Sequence, residues 1–255
     1  MPSASDDLAY SLDLALWARE VLGLQPDPWQ SGVLRSDARR ILLNCSRQSG
    51  KSTITSALAL HTAIYRPGSL VLCLSPTLRQ SGELFHVIAG LYALVAGKFP
   101  AAAESALRLE LENGSRIISL PGQEQNVRGY AGVSLLVVDE AARVVDDLYY
   151  SVRPMLAVSG GRLIALSTPF GKRGWFYREW MDGIGWERHK ITATDCPRIS
   201  PEFLEEERRS MPAAWFAAEY MCEFTEAVDN VFSFDQIAAA VTDEVEPLFG
   251  VNNNV

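Results

Sequence analysis

Asn44-Cys45-Ser46-Arg47-Gln48-Ser49-Gly50-Lys51-Ser52-Thr53 is entered from the apolar run Ile41-Leu42-Leu43 and followed by Ile54, Ala57, Leu58 and Leu60. The order reads as strand, phosphate-binding loop, helix. A triphosphate needs backbone N–H groups, a helix N-terminus, a flexible ammonium and a hydroxyl for its metal ion, all within one turn. Gly50, Lys51 and Ser52, flanked by Ser49 and Thr53, supply those parts in the Walker A order. Cys45 stands where the consensus has its first glycine. The backbone there must therefore tolerate a Cβ. Taken alone, a Gly-Lys-Ser triplet also fits a loop that binds nothing, and the rest of the chain has to decide.

Three continuous apolar runs follow: Ser69–Leu74, Leu135–Val138 and Arg162–Leu166. Runs of this kind are strands buried on both faces, and helix-length segments between them predict a mainly parallel sheet flanked by helices. Ligands bind such sheets at the carboxyl ends of the strands. Lys51, the pair Asp139-Glu140 and the pair Ser167-Thr168 then share one edge. At that edge Asp139 matches a Walker B carboxylate that holds Mg²⁺ with the Ser52 hydroxyl, and Glu140 is placed to polarise an attacking water. Two acids at an exposed strand end are the plain alternative.

Elsewhere, Leu8, Leu12, Leu16 and Leu22 recur at helical spacing, predicting one helix from Asp6 to Leu22 that ends at Gly23. Pro26-Asp27-Pro28-Trp29-Gln30 opens a short helix expected to carry Arg35, Arg39 and Arg40, and Ser75-Pro76-Thr77 caps another. Leu107–Glu112 alternates and meets Ser115–Leu120 across Asn113-Gly114, which predicts a two-stranded antiparallel excursion. The chain divides into a core at 1–171, a helical lid at 172–225 and a connecting tail at 226–255.

Composition narrows the function further. With 255 residues, 48% hydrophobic and 21% charged, the chain is globular. Four scattered cysteines without a C-x-x-C pair suit a reduced intracellular protein, and the three histidines have no metal-like spacing. No signal peptide or membrane span is expected. A net charge of −8 argues against binding nucleic acid by bulk electrostatics, so any such contact has to be local.

The residues Cys45–Ser52, Val127-Arg128-Gly129-Tyr130, Val137–Ala142 and Ser167-Thr168-Pro169-Phe170-Gly171 together resemble the ATPase half of phage large terminases, over roughly Leu24 to Asp235. A phosphate loop that departs from the first glycine is a mark of that family. The resemblance implies a RecA-like P-loop NTPase of the additional-strand class with a small helical lid. It further implies ATP and Mg²⁺ as cofactors and a motor that drives double-stranded DNA into a procapsid. Its partners would be a homo-oligomeric ring on a portal, a small terminase subunit and a nuclease domain C-terminal to this chain; it would work in the host cytoplasm at the procapsid vertex. The segment after 226 is too short for the nuclease, so DNA cleavage is expected to be absent.

By the same resemblance Gln30 would read the adenine edge with Trp29 nearby, core burial being equally compatible for Trp29. Arg47 becomes a candidate for charge stabilisation in cis or for sensing nucleotide. Arg128 becomes a candidate finger reaching a neighbour's ATP, and Ser167-Thr168 a coupling motif that senses the γ-phosphate. Ordinary salt bridges are the alternative for both arginines. Arg79, Lys172, Arg173 and Arg178 are the local basic candidates for a DNA backbone. Two rivals remain: a helicase-like remodelling ATPase, which would need a second motor lobe, and an idle nucleotide-binding docking module.

Overall fold

The computed structural model describes residues 4–122, 127 and 129–226. Its framework is an eight-stranded sheet built from β1 (Arg40–Cys45), β2 (Leu70–Ser75), β3 (Ala101–Ser105), β4 (Arg108–Leu111), β5 (Arg116–Pro121), β6 (Val133–Asp139), β7 (Arg162–Ser167) and β8 (Glu187–Ile191). The spatial order is β3-β4-β5-β2-β6-β7-β1-β8. Along that order all pairs from β5 to β8 are parallel, and only β4 runs opposite to the rest, pairing antiparallel with both β3 and β5.

The unbroken apolar runs follow from burial on both faces. In β1, Ile41, Leu43 and Cys45 point into one core and Leu42 into the other. The first core is covered by α2 (Leu14–Glu20), α3 (Pro28–Arg35), α4 (Lys51–Tyr65) and α5 (Leu78–Ala93). The second is covered by α6 (Asp146–Val152) and α7 (Gly174–Met181), through Tyr149, Trp175 and Phe176. Tyr149 and Trp175 stack with ring centroids 3.8 Å apart. No helix among the described residues is long and apolar enough to cross a membrane.

Several expectations change. The N-terminal helix is two helices, α1 (Ala4–Leu12) and α2, because Asp13 leaves the helical conformation and its carboxylate accepts from the Leu16 N–H at 3.0 Å. Arg35 ends α3; Arg39 lies beyond it and Arg40 opens β1. The Asn113-Gly114 hairpin forms, yet it is no excursion: β5 pairs in parallel with β2, so the hairpin extends the main sheet. Its outer partner β3 escaped notice because Ala101-Ala102-Ala103 carries no apolar alternation and is largely exposed.

The stretch 172–225 is not all helical either. Beside α7, α8 (Pro201–Ser210) and α9 (Ala213–Glu219) it contains β8, which pairs in parallel with β1. Half-exposed Glu-Arg-His-Lys at the sheet edge hides a strand from a hydrophobic pattern. The tail from 227 onward lies outside the described residues.

Candidate nucleotide site

β1 delivers the phosphate loop and α4 receives it. The two left-handed residues are Gln48 (φ 59°) and Gly50 (φ 83°), whereas Cys45 is the last residue of the strand and fully buried. The tolerance asked of Cys45 is therefore that of a β residue, which a Cβ suits. Burial raises the Cys45 thiol far above its ordinary range, so it is an inert packing group.

The loop is held from several sides. Ser46 N–H donates to the Ile191 carbonyl at 2.8 Å and Arg47 N–H to the Glu219 carbonyl at 3.1 Å. Ser49 hydroxyl donates to the Ser46 carbonyl at 2.9 Å. The Ser49 carbonyl in turn accepts from Gln30 Nε2 at 3.2 Å and from Arg198 at 2.9 Å. Arg198 also forks onto buried Asp27 at 2.9 and 2.8 Å. Gln30, expected at a base edge, thus uses its Nε2 on the loop and its Oε1 on the Asp27 N–H at 2.8 Å. It also borders, with Leu24, Asp27, Gly50, Thr53 and Arg198, an open cavity of about 440 Å³ beside the start of α4. Trp29 packs against the first core, the plainer of its two expected roles.

Across the sheet, β6 ends in Asp139 and β7 in Ser167, with β7 lying between β6 and β1. Asp139 is 8% exposed; burial, helped by the charge of Glu140, pushes its pKa up to about 6. Its Oδ1 has no hydrogen-bond partner among the described residues. A buried carboxylate oxygen left unpaired is costly unless something compensates it. One carboxylate, a hydroxyl and substrate phosphates are the usual surroundings of Mg²⁺, and Asp139 with Ser52 at the head of α4 fit that donor set.

Glu140 follows in the left-handed region (φ 47°, ψ 44°), a conformation that is costly for a glutamate and common at working sites. Lys51 Nζ lies 3.6 Å from Glu140 Oε1, and Arg143 donates to Oε2 at 2.9 Å. Thr168 Oγ1 accepts from Arg143 at 3.3 Å, while the Ser167 hydroxyl is buried without a partner among the described residues. Arg47 pairs with Glu219 of α9, its Nε 2.5 Å from Oε2. Glu219 raises the pKa of Arg47 further, chiefly by that hydrogen bond.

The structure therefore brings Ser49, Gly50, Lys51, Ser52, Thr53, Asp139, Glu140, Ser167 and Thr168 to one sheet edge and ties Arg47 to α9. Arg128 lies outside the described residues. Of the basic candidates, Arg79 and Lys172 are exposed, and the Arg173 guanidinium sits 4.7 Å over the Phe170 ring. Arg178 pairs with Asp146 at 2.5 Å and stays half-exposed. Three residues went unnoticed in the sequence. Arg143 had a local signal, three positions after Glu140 on one turn; Glu219 and Arg198 had none, because their partners are distant in the chain.

A phosphate loop on β1, an acidic pair on β6 and an additional strand β7 between them define a P-loop NTPase of the additional-strand, RecA-like type. Residues 42–239 match the family model described as "Terminase large subunit, T4likevirus-type, N-terminal". The chain belongs to that family. It is 28% identical over 254 residues to the terminase large subunit of Thermus virus P23-45, covering 84% of this chain and 52% of that protein. It thus spans about half the length of the curated relatives it matches. The large terminase ATPase domain of Thermus phage P74-26 superposes with a TM-score of 0.72 at 26% identity, covering 81% of this chain and 97% of that one. The large terminase of bacteriophage D6E, solved in complex with ADP, shares the fold (TM-score 0.60, 15% identity, 84% and 52% covered).

Proposed function

We propose that this chain is the Mg²⁺-dependent ATP-hydrolysing motor domain of a viral terminase that translocates double-stranded DNA into a procapsid. The observation that carries the reading is the convergence of Lys51, Asp139, Glu140 and Thr168 at the ends of β1, β6 and β7. Lys51 and the N–H groups at the head of α4 bind the phosphates, and the cavity beside Gln30 takes the base. Asp139 and Ser52 would hold Mg²⁺, which supplies neutralisation of phosphate charge. Glu140 takes a proton from water as the water oxygen bonds to the γ-phosphorus and the bond to the bridging oxygen breaks, releasing ADP and phosphate.

In this reading Arg47 senses the nucleotide from the loop, and Arg128 reaches a neighbour's γ-phosphate in a homo-oligomeric ring. Thr168 and Ser167 pass the state of that phosphate to the lid. The portal, the small terminase subunit and a C-terminal nuclease domain complete the machine at the procapsid vertex in the host cytoplasm. DNA cleavage belongs to that nuclease domain. Arg79, Lys172, Arg173 and Arg178 are the candidates for DNA contact.

The test is phosphate release from ATP and Mg²⁺ against protein concentration, with and without duplex DNA. Specific activity is expected to rise with concentration, and Glu140→Gln to lower kcat by at least about 100-fold. Wild-type release by Glu140→Gln would reject the base. Mixing Arg128→Ala with Lys51→Ala subunits is expected to restore some sites, since each mixed neighbour pair can assemble one intact site; strictly proportional inactivity would reject a finger in trans.

A further inference from the structure

We propose that Arg143 is the positioning residue of this site, orienting the Glu140 carboxylate and making that orientation depend on the place of α9. The inference rests on the reading of Glu140 as the base.

Arg143 ends the 3₁₀ turn Ala141–Arg143 that directly follows the acidic pair, and its backbone N–H donates to the Glu140 carbonyl at 2.9 Å. So short an arc returns the guanidinium across the Glu140 side chain. One nitrogen, Nη1, donates to Glu140 Oε2 at 2.9 Å and to Thr168 Oγ1 at 3.3 Å; the other, Nη2, lies 3.9 Å from Glu219 Oε1. The guanidinium carbon sits 4.8 Å over the Phe170 ring. A planar guanidinium fixes several acceptors in one geometry, which a flexible ammonium does not. Here a single fork touches the turn after β6, the end of β7 and α9.

Among the described residues, Glu140 has two cationic contacts, Lys51 and Arg143. Lys51 is the ammonium that phosphate draws away, so Arg143 is what then keeps the carboxylate aimed. Glu219 is shared between Arg47 at 2.5 Å and Arg143 at 3.9 Å. Moving α9 thus changes the charge that Arg143 meets on its far side. A cavity of about 120 Å³ lined by Arg143, Phe170, Arg173, Trp215 and Glu219 leaves the guanidinium room to shift.

The experiment measures steady-state phosphate release and binding of a fluorescent ATP analogue, with thermal unfolding as a control on every variant. Arg143→Ala is expected to lower kcat by about 10- to 100-fold while analogue affinity stays within about threefold, the signature of lost orientation rather than lost binding. Arg143→Lys should recover only part of kcat, since a point charge does not serve both acceptors. Glu140→Gln combined with Arg143→Ala should be no slower than Glu140→Gln alone, because residues acting as a unit are non-additive.

A kcat for Arg143→Ala within about twofold of wild type, beside an inactive Glu140→Gln, overturns the proposal and leaves the base intact. An analogue affinity that falls in step with kcat reassigns Arg143 to nucleotide binding, and a loss of folding shared by the lysine variant reassigns it to structure. Full activity of Glu140→Gln removes the base and this inference with it.

Discussion

At the scale of single residues, the phosphate loop concentrates its backbone demands at Gln48 and Gly50 and relieves Cys45 of any. Gly50 is the sharper case. At φ 83° an L side chain is strained, and a Cβ built there would meet Gln30 Nε2 at 2.8 Å. Gly50→Ala is expected to cost about 1–2 kcal/mol of stability from the left-handed conformation alone. Adding Gln30→Ala removes the steric conflict and leaves the conformational part. Urea unfolding of the two single variants and the double variant checks this; a double variant as stable as Gln30→Ala alone would show that φ at 50 carries no cost.

Among the elements, α2 exists as a separate helix because of Asp13, which caps it and also grips Arg35 of α3 through both carboxylate oxygens at 2.8–3.1 Å. The hydrogen bond from Arg35 holds the Asp13 carboxyl below its ordinary value. A depressed native pKa stabilises the fold above the unfolded value and loses that contribution as pH falls through the native one. Asp13→Asn keeps an oxygen for the cap and removes the charge. Its melting temperature should lie below wild type at neutral pH, with the gap closing as pH drops below about 4. A gap unchanged between pH 7 and pH 3 would mean that the ion pair contributes nothing. The pair is part-exposed, so the effect is modest.

On the scale of the whole molecule, the phosphate loop is a junction between segments from both ends of the chain. Arg198, in the segment between β8 and α8, joins Asp27 before α3 to the Ser49 carbonyl. Arg47 joins the loop to α9, and Asn44 Nδ2 donates to the Cys222 carbonyl at 2.9 Å. Asp27 is 8% exposed, so removing its partner strands a buried carboxylate. Arg198→Ala is expected to cost about 1–3 kcal/mol in urea unfolding. When Arg198→Ala is combined with Asp27→Asn, the cost of the double variant should fall short of the sum of the two single costs by at least about 0.5 kcal/mol. Strict additivity would sink the coupling.

The core is legible in the sequence because burial on both faces of a parallel strand leaves unbroken apolar runs, as at Leu70–Leu74, Leu135–Val138 and Leu163–Leu166. Phosphate chemistry leaves equally local marks, since Gly50, Lys51 and Ser52 must sit on one turn and Asp139-Glu140 at one strand end. Edge strands are the opposite case. β3 and β8 are half solvated, so neither Ala101–Ser105 nor Glu187–Ile191 carries the period that burial imposes. Arg143 left a faint trace, three residues after Glu140. Glu219 and Arg198 left none: an ion pair needs only that two groups meet in space, and here they meet 172 and 171 residues from their partners. What the amino-acid order determined by itself was the buried strands of the sheet, the loop and the acidic pair, each enforced by neighbours in the chain. Only the folded molecule decided which charges hold the loop and the base in place, because those contacts are made by distance in space and by nothing in the local sequence.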